Sequence, residues 1–432
     1  MSRPETLTIE EAIQQLKDGE RVVLSHAAVT PNYAIEELVR QKDRFTELSI
    51  FHLIYLGIPI HLAPELSEHF RVCSPFISGK EARQAVREGR ADFIPRHFSQ
   101  VPSLFAPKGT YQPDWAIIQV TPPDKEGRYN CSLSTDYTLP AARYAKKVLA
   151  IVNPQLPYIG GDNFLEAKDI DILVEHSSKP HTVPSATLSD TDQKIAAYCA
   201  ELIPDRATLQ MGIGALPDAV LANLKGHQDL GIHTELLTPG VLDLYKSGAI
   251  TGKYKGVHQG KMTAAFTMGD EALYQFLDHN DIFEQYPVDI MNDPYIIGRN
   301  PNMISINSCI EVDLYGQVCA EKVDGKMFSG SGGQFDYVRG TKLSKGGKSI
   351  IAIQSTAKGG EVSRICANIG PNNVVTTLRN DIDYVVTEYG VASLSGHTER
   401  ERAEALVRIA HPKFRDELME SLYAQFPGKR IF

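Results

Sequence analysis

The chain has 432 residues, of which 42% are hydrophobic and 22% are charged, and its net charge is −9. This length exceeds that of one ordinary domain and predicts two or three, in a globular protein with ample core. No basic tract accompanies aromatic residues, no apolar run approaches about 18 residues, and no apolar signal segment opens the chain, so nucleic-acid binding, membrane spanning and secretion are disfavoured.

Strand-like and helical segments alternate through the first half of the chain. A helical period over residues 8–19 leads into an apolar run at 21–26, and similar runs recur at 91–98, 115–123, 147–153 and 171–176. Strands that alternate with helices predict a mostly parallel sheet with helices on its faces. A polar stretch at 176–193, rich in Ser, Thr, Lys and Pro, then predicts a domain boundary.

The same alternation begins again beyond this polar stretch. A helix is predicted at 191–203, with Ser189 or Thr191 as its N-cap. Strands are predicted at 207–214, 303–314, 349–356, 373–378 and 383–390, and amphipathic helices at 399–410 and 412–426. We therefore predict an α/β fold of two open, mostly parallel-sheet domains of similar size, residues 1–185 and 186–432, with the active site between them.

The cysteines and histidines do not form a pattern typical of metal binding. The six cysteines are scattered without a CxxC pair, which predicts buried thiols of a cytoplasmic protein and no disulfide framework or structural zinc. Four histidines lie near presumed strand ends without metal or triad spacing, and we expect them to be structural hydrogen-bonding residues: His26, His97, His233 and His397.

Glu235 is the first candidate for chemistry. It lies beside the apolar residues Leu236 and Leu237, in a stretch that predicts a short strand followed by a Pro-Gly turn. A carboxylate in such surroundings costs free energy unless it is hydrogen-bonded or opens onto a cleft. Ligands of open α/β sheets bind at the carboxyl ends of strands, so Glu235 is a candidate nucleophile or base. A solvated glutamate at a sheet edge is the alternative.

Two glycines, Gly212 and Gly214, are predicted to lie between a strand and a helix. Glycines there let backbone N–H groups approach a ligand, and a helix N-terminus favours an anion. A tight turn without a ligand is the alternative. The third glycine of the dinucleotide fingerprint is missing, which argues against a nicotinamide cofactor.

A denser glycine segment at 328–340 contains Gly330, Gly332 and Gly333. Successive amides in such a loop can form an anion or oxyanion site, whereas a flexible surface loop is the alternative. The lysines that follow, as far as Lys358, could hold a phosphate-bearing ligand or form a solvated face. Asn307, in a segment that alternates like a strand entering a hairpin, could contact a reacting carbonyl or be a structural asparagine.

Five segments together resemble the acetyl-CoA hydrolase/transferase family of class I CoA-transferases, and within it the 4-hydroxybutyrate and butyrate/acetate CoA-transferases most closely. They occur in the family's order, at 212–220, 231–241, 306–318, 330–340 and 385–415. The sequence departs from the family's pattern in its N-terminal half, where residues 25–32 lack a glycine that many relatives carry. The acyl pocket is therefore not assigned, although residues 97–105 are a candidate wall.

The resemblance implies roles for individual residues. The family's catalytic glutamate falls on Glu235, and its oxyanion donors on Asn307 and on Gly332 or Gly333. Its CoA contacts fall on Gly212, Ile213, Gly214, Ala215 and Leu216, with Gly330 and Lys358 as further candidates.

The implied reaction moves CoA from a short-chain acyl-CoA, 4-hydroxybutyryl-CoA or butyryl-CoA, to a carboxylate such as acetate. A glutamyl-CoA thioester is the intermediate, and CoA is a substrate rather than a permanently bound cofactor. The resemblance also implies a cytoplasmic homo-oligomer, a dimer or a tetramer. The alternatives are an acyl-CoA hydrolase that uses the same glutamate, a non-catalytic CoA- or nucleotide-binding protein, and a Rossmann oxidoreductase.

Overall fold

A computed structural model describes residues 4–184, 187–212 and 214–427. It divides into two compact units, each assembled from three stretches of sequence. The first unit comprises Met1–Pro184, Thr234–Pro239 and Lys261–Asp293. The second comprises Ser185–His233, Gly240–Gly260 and Pro294–Phe432. The segment that carries Glu235 is therefore grouped with the first unit.

The α-helices of the described residues are short to medium in length. In chain order they are α1 (Ile9–Gln14), α2 (Asn32–Arg40), α3 (Lys80–Arg87), α4 (Val101–Phe105), α5 (Thr138–Tyr144), α6 (Asp190–Glu201), α7 (Ala215–Asn223), α8 (Pro239–Lys246), α9 (Glu271–Leu277), α10 (Val288–Met291), α11 (Pro294–Ile297), α12 (Gln334–Leu343), α13 (Glu399–Ile409) and α14 (Pro412–Gln425). None of the described helices is long and apolar enough to cross a membrane.

Helix starts follow from local capping. Thr8 and Glu11 form a capping box at α1, in which each side chain satisfies the other's backbone N–H. Ser189 forms the same motif with Asp192 at α6, so the prediction of Ser189 as a candidate N-cap is confirmed and Thr191 lies within the helix.

A sheet of eight strands organises the described part of the first unit. Its strands are β1 (Glu5–Thr6), β2 (Arg21–Leu24), β3 (Leu48–Phe51), β4 (Phe70–Ser74), β5 (Ala91–Phe93), β6 (Trp115–Val120), β7 (Lys147–Val152) and β8 (Ile172–Glu175). The spatial order is β1-β8-β7-β6-β2-β3-β4-β5, and all the pairings are parallel. Val22 and Val23 enter core clusters on opposite faces, so both faces are covered, as is usual for parallel sheets.

The later strands continue the parallel pattern. They are β9 (Thr208–Met211), β10 (Gly231–Leu237), β11 (Met262–Thr267), β12 (Phe283–Gln285), β13 (Met303–Asn307), β14 (Lys348–Ala352), β15 (Tyr384–Thr387) and β16 (Gly390–Ser393). In the second unit the order is β16-β15-β14-β13-β9-β10, where β10 pairs through Gly231 and Ile232; β16 is antiparallel to β15 and the other pairings are parallel. In the first unit, β11 and β12 pair in parallel. The predicted α/β class with mainly parallel sheets is confirmed.

Further short strands form small sheets beside these large ones. Four antiparallel pairs form among these additional strands: Arg128–Asn130 with Phe164–Glu166, Glu311–Asp313 with Val318–Cys319, Lys322–Val323 with Lys326–Met327, and Thr356–Ala357 with Val362–Ser363. Gly160–Gly161 pairs in parallel with β12, and Ile365–Cys366 in parallel with Glu311–Asp313.

Three local predictions were wrong. The strand predicted at 303–314 ends at Asn307, and a separate strand, Glu311–Asp313, forms the hairpin. The single alternating strand expected around Asn307 is therefore interrupted at residues 308–310. The strand predicted at 373–378 is absent from this described stretch, where Thr377 forms a single bridge to Val318. Pro239 begins helix α8 instead of a Pro-Gly turn, because proline suits the first turn of a helix.

Candidate active site

Glu235 lies near the end of β10, two residues before its last residue. Successive side chains of a strand point to opposite faces, so Glu235 and Leu236 diverge. Leu236 is 4% exposed and packs in a core cluster with Met268, Val288 and Met291. Glu235 itself is half-buried. The apolar neighbour anchors the strand, and the carboxylate remains within reach of solvent and ligand.

Asn292 forms a hydrogen bond with this carboxylate. Its Nδ2 donates a hydrogen bond of 2.6 Å to Oε2 of Glu235. Asn292 is fully buried at the C-cap of α10, and its Oδ1 has no hydrogen-bond partner among the described residues. In the flipped orientation Oδ1 would face the carboxylate, and two hydrogen-bond acceptors would meet. The orientation that places Nδ2 against Glu235 is therefore the correct one. The contact orients Glu235 without neutralising its charge.

The glycine turn of the second unit follows β9. The N–H of Gly212 donates to the carbonyl of Ile306 over 3.3 Å, which ties the turn to β13. Gly214 has φ 118° and is the N-cap of α7, a conformation that favours glycine. Ala215 and Leu216 open α7 and are half-buried. The predicted contact Ile213 lies outside the described residues.

Asn307 ends β13 and is engaged with its neighbours. Its Nδ2 donates to Oε1 of Gln210 over 3.0 Å and to Oγ of Ser305 over 2.8 Å, and its Oδ1 accepts from Nε2 of Gln210 over 3.3 Å. Both amide hydrogens are thus used within the second unit. An oxyanion role for Asn307 requires it to exchange one of these bonds for the substrate.

The second glycine segment leads into α12. Gly333 is the N-cap of this ten-residue helix, and Gly332 has φ 49°. The Nε2 of Gln334 donates to the carbonyl of Ser308 over 3.4 Å, just after β13 ends. The N-terminus of α12, Asn307 and the turn at Gly212 are thus linked at the carboxyl ends of adjacent strands, where parallel sheets bind ligands.

The remaining predicted CoA contacts differ in exposure. Gly330 is buried, and Oγ of Ser329 beside it donates to the carbonyl of Ala320 over 2.9 Å. Lys358 is exposed on a 3-10 turn and has φ 51°. Among the described residues no group of three or more His, Cys, Asp or Glu side chains could hold a metal ion. The six cysteines are free thiols, five of them buried.

The candidate acyl-pocket segment lies in the first unit. Phe98–Gln100 forms a 3-10 turn that packs against α10, the helix that ends beside Asn292. Phe98 and Val101 enter the core cluster of Leu236, whereas Gln100 is exposed. That this segment lines the acyl pocket stays a prediction. Its apolar residues Phe98 and Val101 share a core cluster with Leu236, the residue next to Glu235.

Sequence reasoning missed Asn292. Its local signal, an asparagine before Asp-Pro, indicates only the end of a helix before the proline that begins the next one. Asn292 and Glu235 are 57 positions apart. Their contact depends on how α10 packs against the core. The hydrophobic periodicity of neither segment predicts that packing.

Two domain descriptions match the chain. The acetyl-CoA hydrolase/transferase N-terminal domain matches residues 4–184, and the C-terminal domain of the same family matches residues 269–422. A 4-hydroxybutyrate coenzyme A transferase from Clostridium kluyveri is 47% identical over 97% of each chain. A crystal structure of a 4-hydroxybutyrate CoA-transferase from Porphyromonas gingivalis is 41% identical, covers 98% of each chain and superposes with a TM-score of 0.85. An acetyl-CoA hydrolase from Kluyveromyces lactis is 25% identical over 96% of this chain and 88% of its own.

Proposed function

Because the chain belongs to the acetyl-CoA hydrolase/transferase family, we propose that it is an acyl-CoA:carboxylate CoA-transferase. It moves CoA from a short-chain acyl-CoA, such as 4-hydroxybutyryl-CoA or butyryl-CoA, to a carboxylate such as acetate. The observation that carries the mechanism is the half-buried Glu235 carboxylate with an amide donor from Asn292 at 2.6 Å. Membership of this family removes the Rossmann oxidoreductase from the alternatives.

The first half-reaction transfers CoA to Glu235 and releases the acyl group as a carboxylate. A carboxylate oxygen of Glu235 attacks the thioester carbonyl, the C–S bond breaks, and a mixed anhydride and CoA thiolate form. The thiolate then attacks the glutamyl carbonyl and displaces the acyl group as a free carboxylate, leaving a glutamyl-CoA thioester. An incoming carboxylate reverses both steps. Neither step changes an oxidation state, and glutamate needs no activating base because it is ionised near pH 7.

Both attacks pass through tetrahedral oxyanions that need hydrogen-bond donors. Asn292 already donates to one glutamate oxygen, so it is suited to the intermediates formed at the glutamyl carbonyl. We assign the remaining donation to the Gly332 and Gly333 amides and to Asn307. The turn at 212–216 and Lys358, with Gly330, supply the contacts to CoA, which enters as a substrate.

A trapping experiment tests the nucleophile. The enzyme is incubated with acyl-CoA and treated with borohydride, which reduces a glutamyl thioester, and the modified peptide is located by mass spectrometry. We expect modification of Glu235 and its absence from Glu235→Ala, which should bind CoA and lose transfer. Transfer by Glu235→Ala at the wild-type rate would overturn the proposal.

Hydrolysis by the same glutamate is the alternative activity. Release of CoA from acyl-CoA is measured with and without acetate, and formation of acetyl-CoA is followed in parallel. A transferase needs acetate for turnover, whereas a hydrolase releases CoA at the same rate without it. The wide gap between 47% identity to a named transferase and 25% to a named hydrolase favours transfer. A dimer or tetramer and a cytoplasmic location stay predictions.

A further inference from the structure

A buried contact joins the start of the first unit to a distant loop. His26 follows β2, and its Nε2 lies 2.6 Å from Oδ2 of Asp136, with both side chains fully buried. The backbone N–H of Ile54 donates to Nδ1 of His26 over 3.4 Å. Because Nδ1 accepts this hydrogen bond, Nε2 is the ring nitrogen that donates to Asp136.

Asp136 is held by more than this one donor. Its Oδ1 accepts from the backbone N–H of Tyr137 over 2.5 Å and of Thr138 over 3.2 Å, and its Oδ2 also accepts from Oγ of Ser134 over 3.1 Å. A buried carboxylate with several donors is fixed in position, because any displacement leaves a charge-assisted hydrogen bond unmade. The backbone at residue 136 is therefore a rigid anchor.

This anchor contacts α10, the helix whose C-cap residue Asn292 hydrogen-bonds Glu235. The N–H of Val288, the first residue of α10, donates to the backbone carbonyl of Asp136 over 3.1 Å. The N–H of Asn292 donates to the carbonyl of Val288 over 2.9 Å, and Nδ2 of Asn292 reaches Glu235. We propose that His26 and Asp136 are positioning residues for Glu235, acting through α10 and Asn292. This inference rests on the proposed nucleophilic role of Glu235.

Because α10 is short, its position depends on the contact with Asp136. A helix of four residues has almost no internal hydrogen bonds of its own, so tertiary contacts decide where its ends lie. The same histidine also fixes Ile54, which packs in the core cluster of Leu236 and Met291. Loss of the His26 contact should therefore shift the amide of Asn292, and a displacement near 1 Å can cost about 100-fold in rate.

A double-mutant cycle tests the connection. We measure kcat and KM for acyl-CoA in His26→Ala, Asn292→Ala and the double variant. His26→Ala should lower kcat about tenfold or more with KM unchanged, and the double variant should be no slower than Asn292→Ala. His26→Gln should restore most of kcat, because its amide N–H can donate to Asp136. The control is Asn153→Ala, which removes a buried amide bonded to Gln119 and should leave kcat unchanged.

A second variant keeps the test decisive if His26→Ala fails to fold. Val288→Pro removes the N–H that meets the Asp136 carbonyl, at a first helical position that tolerates proline. It should lower kcat and be non-additive with Asn292→Ala. Additive effects, or a wild-type kcat in both His26→Ala and Val288→Pro, would overturn the inference. Failure of the nucleophile proposal is distinct, since it would appear as an active Glu235→Ala.

Discussion

The Nδ2 of Asn292 donates to Oε2 of Glu235 over 2.6 Å from a side chain that is fully buried. An amide in this position orients the carboxylate and donates to the oxyanion of the intermediates that form at the glutamyl carbonyl, without transferring a proton. Asn292→Ala removes a hydrogen bond to a charged group, which is worth about 1.5–3 kcal/mol, so kcat should fall roughly 10- to 100-fold. Steady-state transfer assays measure this fall, and an unchanged kcat would show that the contact is incidental.

Shortening the nucleophile should be almost as harmful as removing it. Glu235→Asp keeps the charge, but one methylene less withdraws the attacking oxygen and breaks the contact with Asn292. Positional catalysis tolerates little displacement, so transfer should drop by at least about 100-fold. Borohydride trapping on the variant separates slow formation of the thioester from loss of binding. Full trapping at the wild-type rate would contradict the geometric argument.

The kinetics should follow a ping-pong pattern. A covalent enzyme–CoA intermediate forms only after the first carboxylate has left, so the second carboxylate binds to a modified enzyme. Initial rates at several fixed acetate concentrations should give parallel double-reciprocal lines against acyl-CoA. Lines that intersect would indicate direct transfer in a ternary complex.

The two glycines before α12 should respond differently to side chains. Gly333 has φ −95°, which any residue adopts, whereas Gly332 has φ 49°, where a side chain costs roughly 1–2 kcal/mol. Gly333→Val should therefore lower the transfer rate with little change in Tm, and Gly332→Ala should lower Tm as well. Thermal melts and transfer assays on both variants decide the matter. If Gly333→Val changed Tm alone, the loop would be structural.

The buried His52–His61 pair should make stability depend on pH. Burial lowers the pKa of His52 to about 4 and holds that of His61 well below its ordinary value. The unfolded chain takes up these protons near pH 6.5 and the folded chain does not, so stability falls as pH drops below about 6.5. The loss contributed by His52 stops growing below its folded pKa of about 4. Between pH 7 and 5 the loss from His52 should reach about 2 kcal/mol, and His61 adds to it in the same direction.

Denaturant unfolding at pH 7 and pH 5 measures this difference. The double variant His52→Phe/His61→Leu should lose most of the pH dependence. His397→Gln, a change at an exposed histidine, should retain it. An equal pH dependence in the double variant and the wild type would assign the effect to other groups.

The sequence alone determined the fold class, most of the elements and the identity of the candidate nucleophile. These are properties of short segments: apolar runs bounded by turns, an N-cap at Ser189 or Thr191, and motifs whose residues lie close together in the chain. Prediction from the sequence failed where the composition of a segment favoured a strand but the segment had no partner strand among the described residues. Residues 373–378 have the β-branched composition of a strand and form a single bridge, because strand formation depends on a partner edge as well as on composition.

The tertiary structure alone decided which side chains meet Glu235. Asn292 is 57 positions away in sequence, and His26 and Asp136 are 110 positions apart, so neither contact leaves a local signal. It also showed that Asn307, expected as an oxyanion donor, uses its amide hydrogens on Gln210 and Ser305. Hydrogen-bond partners are set by the packing of whole elements, and that packing is a sum of many weak contacts that no single segment encodes.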